Sequence, residues 1–141
     1  MQALFSALLP ALYLCVLSLL LCLVGALVGR AVFGFKFFRC SFDAEYPAGK
    51  MACAGTHLDF ETGVMLPRAW LNPDYNFDDV GRAVMTMLRV NSNKFADIYR
   101  DGMDITFRDR SPSLNYSHST SIFFISYVVL ANFFIMNIFA A

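Results

Sequence analysis

Charged residues are missing from both ends of this sequence. No Asp, Glu, Lys or Arg occurs in residues 1–29 or 111–141, so all 22 charged side chains (11 basic and 11 acidic) lie in residues 30–110. The formal net charge is zero, and this balance gives no sign of the basic surface with which proteins bind nucleic acid. We therefore expect no nucleic-acid partner.

The sequence also lacks the residue groupings of an enzyme or a metal centre. Periodicity brings together no carboxylate pair and no Ser/His/Asp or Cys/His set, and Asp78-Asp79 is better explained as a helix N-cap. The four cysteines do not have zinc-ligand spacing, and both histidines lie elsewhere. We expect no catalytic residue, no metal and no cofactor, with His118 as an ordinary interfacial histidine.

What the sequence does contain is two long apolar runs, residues 4–28 and 121–141. About 20 apolar residues cross the hydrocarbon core of a bilayer, and a run of this length in lipid must be helical to satisfy its own backbone. A cleaved signal peptide would have a basic start and a shorter apolar stretch. Two core helices of a soluble protein would need more covering chain than the middle region supplies. The sequence therefore predicts an all-α, multi-pass integral membrane protein surrounded by lipid.

The two transmembrane helices are assigned to residues 1–30 and 121–141. The first helix is expected to start near Ser6, whose hydroxyl can cap it, with Pro10 tolerated in its first turns.

Four residues within these spans are candidates for pore or helix contacts. Gly25 and Gly29 are four residues apart, a spacing that lets another helix approach closely. Asn132 and Asn137 interrupt the second span, and an amide in hydrocarbon usually faces a partner helix or a cavity.

The region between the spans divides into three parts. Residues 31–75 form an extramembrane loop rich in Gly and Pro, residues 76–106 a pair of short helices, and residues 107–120 a polar loop. In the second part apolar residues recur on one helical face over residues 80–88, and a polar turn at residues 91–93 separates them from a second periodic stretch. Neither helix is long enough to span a bilayer, which is typical of a re-entrant hairpin or a folded cap.

The cysteines fall into two pairs. Cys40 and Cys53 lie in the loop region and could form a disulfide if that region faces an oxidising compartment. Cys15 and Cys22 lie inside the first span, where we interpret them as small apolar residues.

The order helix, loop, short helix, turn, short helix, helix resembles the pore module of a cation channel, and short motifs agree with it. The motifs in the spans are similar to the outer and inner pore helices: residues 9–12, 32–34, 121–124 and 137–139. The motifs in the middle region are similar to a cysteine-bearing turret loop, the lead into a first pore helix and the segment after a second: residues 37–40, 53–55, 68–70, 75–80, 103–106 and 111–113. The chain thus resembles the pore module of four-repeat voltage-gated calcium and sodium channels, and is most like a third calcium-channel repeat.

The resemblance implies a mechanism. In that family four modules surround a pore, and the carbonyl end of each first pore helix points at the axis, where it favours cations. The turn between the pore helices supplies a selectivity side chain, which is a carboxylate in calcium-selective members because hard divalent cations prefer oxygen ligands. Further pore modules are therefore the implied partners.

The turn in this sequence departs from the family pattern. Residues 91–96 contain no Glu, Asp or Gly, and Phe95 stands where a Trp is expected. Asn93 or Lys94 occupies the filter position, with Asp97 nearby, so these three residues are the candidates for a selectivity filter. A lone ammonium at this position repels cations unless other modules offset its charge.

Two functions remain open. One is a pore module that needs other modules to enclose a pore. The alternative is a non-conducting accessory subunit of a large respiratory or photosynthetic membrane complex, in which His118 could ligate a pigment or haem. We expect no voltage-sensing helices before the first span and no inner gate after the second, which fits the alternative, as does the altered filter.

The orientation of the chain is indicated by two conflicting observations. The family places the loop region outside the cell, whereas the positive-inside tendency would place Arg30, Lys36 and Arg39, on the loop side of the first span, in the cytoplasm. That tendency is weak for long loops, so we follow the resemblance.

Overall fold

The computed structural model describes residues 2–41, 49–92 and 94–140. The described chain is mostly helical, with four α-helices and one short 3₁₀-helix at Lys50–Ala52. The α-helices are α1 (Gln2–Phe33), α2 (Val80–Val90), α3 (Phe95–Asp104) and α4 (Ser119–Ala140). The strands are β1 (Arg39–Cys40), β2 (Thr56–Leu58), β3 (Met65–Pro67) and β4 (Trp70–Leu71).

Helices α1 and α4 are the two helices long and apolar enough to cross a membrane in the part of the chain that the structure describes. Helix α1 already begins at Gln2, so the expected start near Ser6 is wrong and Pro10 lies inside the helix. Pro10 removes one backbone hydrogen bond, a loss that apolar membrane helices tolerate better than soluble ones. Both helices extend further into the loop region than predicted, α1 to Phe33 and α4 from Ser119.

The described chain is mostly helical, as predicted, but its loop region contains two small antiparallel sheets that the all-α prediction did not include. Strand β1 pairs with β4 and places Cys40 opposite Trp70, while β2 pairs with β3 and places His57 opposite Leu66. These strands are two or three residues long, too short to carry the alternating pattern that identifies a strand in sequence. The β2–β3 turn is closed by Asp59, whose carboxylate accepts hydrogen bonds from the backbone and side chain of the following residues.

Helix α2 lies along α1. Asp79 caps its N-terminus by accepting a hydrogen bond from the Gly81 amide, as the sequence predicted. Its buried face packs on α1, and the Thr86 hydroxyl on that face donates to the Asn76 carbonyl at 2.9 Å. The cap and this bond fix where α2 begins relative to the loop before it. The buried residues are Ala83, Thr86, Met87 and Val90.

Helix α3 lies against the first turns of α4. A Cβ added at Gly102 would lie 2.5 Å from the Phe124 ring, so the absence of a side chain at this position permits the approach. The Thr120 hydroxyl donates to the Gly102 carbonyl at 2.9 Å, and the Ser117 amide donates to the Met103 carbonyl at 2.8 Å. These bonds join the end of α3 to the start of α4.

An aromatic core fills the junction of α1, α2 and α4. The Phe33 ring lies 5.2 Å from that of Phe77 and 5.3 Å from that of Phe124, centroid to centroid, and all three residues are fully buried. Aromatic pairs at these separations add to the free energy of burial. This core holds the short helices against the C-terminal end of α1 and the N-terminal end of α4.

Candidate functional site

The candidate site is the pair of short helices with the turn between them, and its depth beside the long helices is set by side-chain contacts. A Cβ added at Gly29 would lie 2.6 Å from the ring of Phe77, which precedes α2. One turn deeper in α1, a Cβ at Gly25 would lie 2.8 Å from the end of the Met87 side chain. Helix α2 therefore runs along α1 toward the N-terminus of α1, from the level of Gly29 to beyond the level of Gly25.

The lower end of α2 is bonded to α4. The Asn91 amide nitrogen donates to the Tyr127 hydroxyl at 3.1 Å. Ser92 donates from both its backbone amide and its hydroxyl to the Arg89 carbonyl, at 3.0 and 2.9 Å. The end of α2 is thus closed by its own turn. Asn93, one of the filter candidates, lies outside the described residues.

Lys94 and Asp97 lie at the start of α3. Lys94 occupies the N-cap position without a side-chain capping bond, and its ammonium lies 3.8 Å from the Asp97 carboxylate. Both side chains are more than half exposed, at 63% and 53%. An ion pair this exposed is weakly held, so both charges remain available to solvent or to a neighbouring group.

A polar cluster that no sequence pattern predicts lies between α3 and the loop region. The Tyr75 hydroxyl donates to the Asp101 carboxylate at 2.6 Å, and the Arg39 guanidinium lies 3.4 Å from the same carboxylate. Burial, with a smaller contribution from the hydrogen bond to Asp101, raises the pKa of Tyr75 to about 12. The cluster joins β1, the loop before α2, and α3. Its members are too distant in sequence for any periodic signal to have paired them.

A basic crevice of about 460 Å³ opens next to the cluster. Three cationic side chains line it, Arg39, Arg89 and Lys94, together with residues 72–75, of which Asp74 is the acidic member. Two of these cations are paired with carboxylates, Arg39 with Asp101 and Lys94 with Asp97.

The remaining predicted contact residues lie in different surroundings. Gly25 and Gly29 are buried against Met87, Tyr127 and Phe77, as described above. Asn132 is exposed on α4 and Asn137 is half-buried.

Cys40 and Cys53 form a disulfide, which confirms that prediction. Cys22 is buried and Cys15 exposed, both as free thiols within α1. His118 is exposed just before α4. Among residues 2–41, 49–92 and 94–140, no group of three or more His, Cys, Asp or Glu side chains is placed to hold a metal ion.

Comparison with known proteins agrees with this architecture. The family described as "Ion transport protein" matches residues 1–141. The voltage-dependent calcium channel type A subunit alpha-1 of Apis mellifera is 32% identical over 121 residues, which cover 82% of this chain and 6% of that protein. The voltage-dependent L-type calcium channel subunit alpha-1D of Mus musculus is 32% identical over 130 residues, or 88% of this chain and 6% of that protein. The human L-type subunit alpha-1C is 29% identical over the same length.

The chain therefore spans about 6% of the length of the curated relatives it matches. Because the family match covers every residue and the relatives align over most of the chain, the chain belongs to the ion transport protein family and is an integral membrane protein.

Proposed function

We propose that this chain is a pore module of a cation channel, and that further modules must join it to enclose a pore. The observation that carries the proposal is the depth of the short helices: α2 descends along α1 and ends at Tyr127 of α4. In this proposal residues 1–30 and 121–141 supply the transmembrane helices, residues 31–75 the turret, residues 76–106 the pore hairpin and residues 107–120 the loop to α4.

The dimensions support a re-entrant hairpin. Helix α2 has 11 residues and is about 16 Å long, half of what a bilayer crossing requires. Tyr127 lies eight residues after Ser119, which puts the lower end of α2 about 12 Å below the start of α4. Helix α3 then runs back to the N-terminal end of α4. In this proposal the two short helices therefore enter the membrane and leave it on the same side.

The electrostatics of the turn set the expected selectivity. The carbonyl end of α2 carries partial negative charge, which favours a cation at the turn. We assign Asn93, Lys94 and Asp97 to the mouth of the filter, where the Lys94 ammonium opposes the dipole and disfavours divalent cations. In a pore of four modules, a module of this kind would favour monovalent cations or discriminate only weakly between cations.

One copy leaves much apolar surface uncovered, which supports the need for partners. Between Ile122 and Met136, helix α4 exposes large side chains, among them Val129 and Phe133. Lipid or neighbouring modules can cover this surface, and we assign Asn132 and Asn137 to a neighbour or the pore cavity because amides are costly against lipid. No specific observation favours the alternative of a non-conducting accessory subunit.

The test is the relative permeability of calcium and sodium ions in the assembly that contains this chain. We expect Lys94→Glu to raise the permeability of calcium relative to sodium, because the change replaces a repelling ammonium with an oxygen ligand at the filter mouth. The readout is the shift in reversal potential when sodium is replaced by calcium.

Lys50→Glu is the matched control, since Lys50 is an exposed lysine in the turret and the charge change is the same. An equal shift in the control would mean that surface charge alone changed the current. An unchanged reversal potential in Lys94→Glu would remove Lys94 from the pore.

A further inference from the structure

Three hydrogen bonds join the C-terminal part of α2 to both spanning helices. The Asn91 side-chain amide donates to the Tyr127 hydroxyl of α4 at 3.1 Å. The Tyr127 hydroxyl donates to the Cys22 thiol of α1. The Cys22 thiol in turn donates to the Val84 carbonyl, with sulfur and oxygen 3.8 Å apart. The bonds begin at the C-cap of α2, pass through α4 and α1, and end on α2 again. We call these four residues, Asn91, Tyr127, Cys22 and Val84, the polar network.

The middle of the polar network is buried between the helices. Cys22 is 3% exposed and Tyr127 is 4% exposed. A Cβ added at Gly25 would lie 3.1 Å from two carbons of the Tyr127 ring and 2.8 Å from the end of the Met87 side chain. The missing side chain at Gly25 therefore lets the ring approach α1. Because its neighbours are closely packed, the Tyr127 ring cannot shift without displacing one of them.

Burial makes the bonds of the polar network strong constraints on the turn after α2. A polar group inside a membrane protein costs free energy unless it is bonded, and linked hydrogen bonds in such surroundings strengthen one another. The Ser92 hydroxyl bonds only within its own turn, to the Arg89 carbonyl. Among the described residues of this turn, Asn91 is thus the one whose side chain bonds a spanning helix.

We propose that Tyr127 is a positioning residue for the selectivity filter and acts through Asn91. The inference rests on the pore module proposed above, in which Asn93 and Lys94 lie at the filter mouth. Asn91 follows the last turn of α2, whose carbonyl groups carry the partial negative charge that favours a cation. A bond from α4 to Asn91 fixes how far this carbonyl end reaches toward the pore axis. Helix α4 thus helps to set the width of the filter, although Tyr127 itself does not touch the ion.

The test is the permeability of caesium relative to sodium in the assembly that contains this chain, measured from reversal potentials. The two ions carry the same charge and differ in size, so their permeability ratio reports the width of the filter rather than its charge. We expect Tyr127→Phe to raise the ratio roughly two- to fivefold, because the loss of one hydrogen bond releases the turn. Tyr13→Phe is the matched control, since it removes one hydroxyl from an exposed ring on α1 and should leave the ratio unchanged.

A second variant breaks the same bond from its other partner. Asn91 is exposed, so Asn91→Ala leaves the buried part of the polar network intact and should also raise the ratio. The double variant Tyr127→Phe/Asn91→Ala should match Asn91→Ala alone, since contacting residues that act together are not additive. A Tyr127 that serves only the fold would lower the unfolding midpoint without changing the ratio.

Two outcomes would overturn the inference while the proposed function stands. One is an unchanged caesium-to-sodium ratio in Tyr127→Phe, or in Asn91→Ala if Tyr127→Phe does not assemble, when Lys94→Glu does shift calcium permeability. The other is an equal effect of Tyr127→Phe with and without Asn91, since this would mean that the hydroxyl acts by another route. If neither Tyr127→Phe nor Lys94→Glu changes its permeability ratio, both the inference and the proposed function are wrong.

Discussion

Tyr75, Asp101 and Arg39 form a contact set that no short sequence motif describes. The Tyr75 hydroxyl donates to Asp101 at 2.6 Å, and Asp101 lies 3.4 Å from Arg39. Tyr75 and Asp101 are 26 residues apart, so their pairing depends on how the turret loop and α3 are placed together. The filter candidates, in contrast, were found by comparing the turn with a family pattern, which assigns positions without contacts.

The titration of Tyr75 gives a residue-scale prediction. Burial and Asp101 raise the pKa of Tyr75 from 10.0 to about 12 in the folded protein. Its contribution to stability is therefore complete below about pH 10 and is lost as the pH rises through about 12. We expect the denaturation midpoint of the unsubstituted protein to fall over this range, and to fall less in Tyr75→Phe.

The measurement is the denaturant midpoint at a series of alkaline pH values for both proteins. Tyr99→Phe, at another half-buried tyrosine, is the matched control and should follow the unsubstituted curve. Identical curves for Tyr75→Phe and the unsubstituted protein would show that the Tyr75 pair does not affect folding.

At the scale of elements, hydropathy identified the helices and missed the strands. The two apolar runs and the amphipathic repeat over residues 80–88 predicted α1, α4 and α2, because each carries its signal within one continuous segment. The strand pairs β1–β4 and β2–β3 have no such signal, since each strand is stabilised by a partner and by the nearby Cys40–Cys53 disulfide. The ends of α1 and α4 differed from prediction because they depend on tertiary contacts.

Close packing of α1 against the chain before α2 gives a prediction at this scale. In Gly29→Ala the new Cβ would lie 2.6 Å from the fully buried Phe77 ring, which has little room to move within the aromatic core. We expect a loss of about 1–3 kcal/mol in the free energy of unfolding, the usual cost of overpacking. The measurement is denaturant unfolding in a fixed detergent.

Gly81→Ala is the control for this substitution. Its Cβ would meet only the flexible Asp79 carboxylate, at 3.1 Å, and alanine favours the helix. A loss in Gly81→Ala as large as that in Gly29→Ala would contradict the packing argument.

For the whole molecule, the prediction concerns copy number. Two spanning helices and one helix pair cannot surround an axis, so we expect the purified channel to contain about four pore modules. The four modules belong either to one polypeptide several times the 15.8 kDa mass of this chain or to several polypeptides. Denatured and native mass spectrometry of the same sample distinguish these arrangements. A particle that contains one copy and no other module, yet carries cation current, would contradict the need for partners.

The lengths of α2 and α3 have a consequence for how modules can be linked. In the proposed pore module each of these helices is too short to cross the bilayer, so only α1 and α4 cross it and Gln2 and Ala140 lie on the same face. With an even number of crossings, the C-terminal end of one module and the N-terminal end of the next lie on the same side of the membrane. Such modules can be duplicated in tandem on one polypeptide without inverting any copy, and every turret then faces the same side.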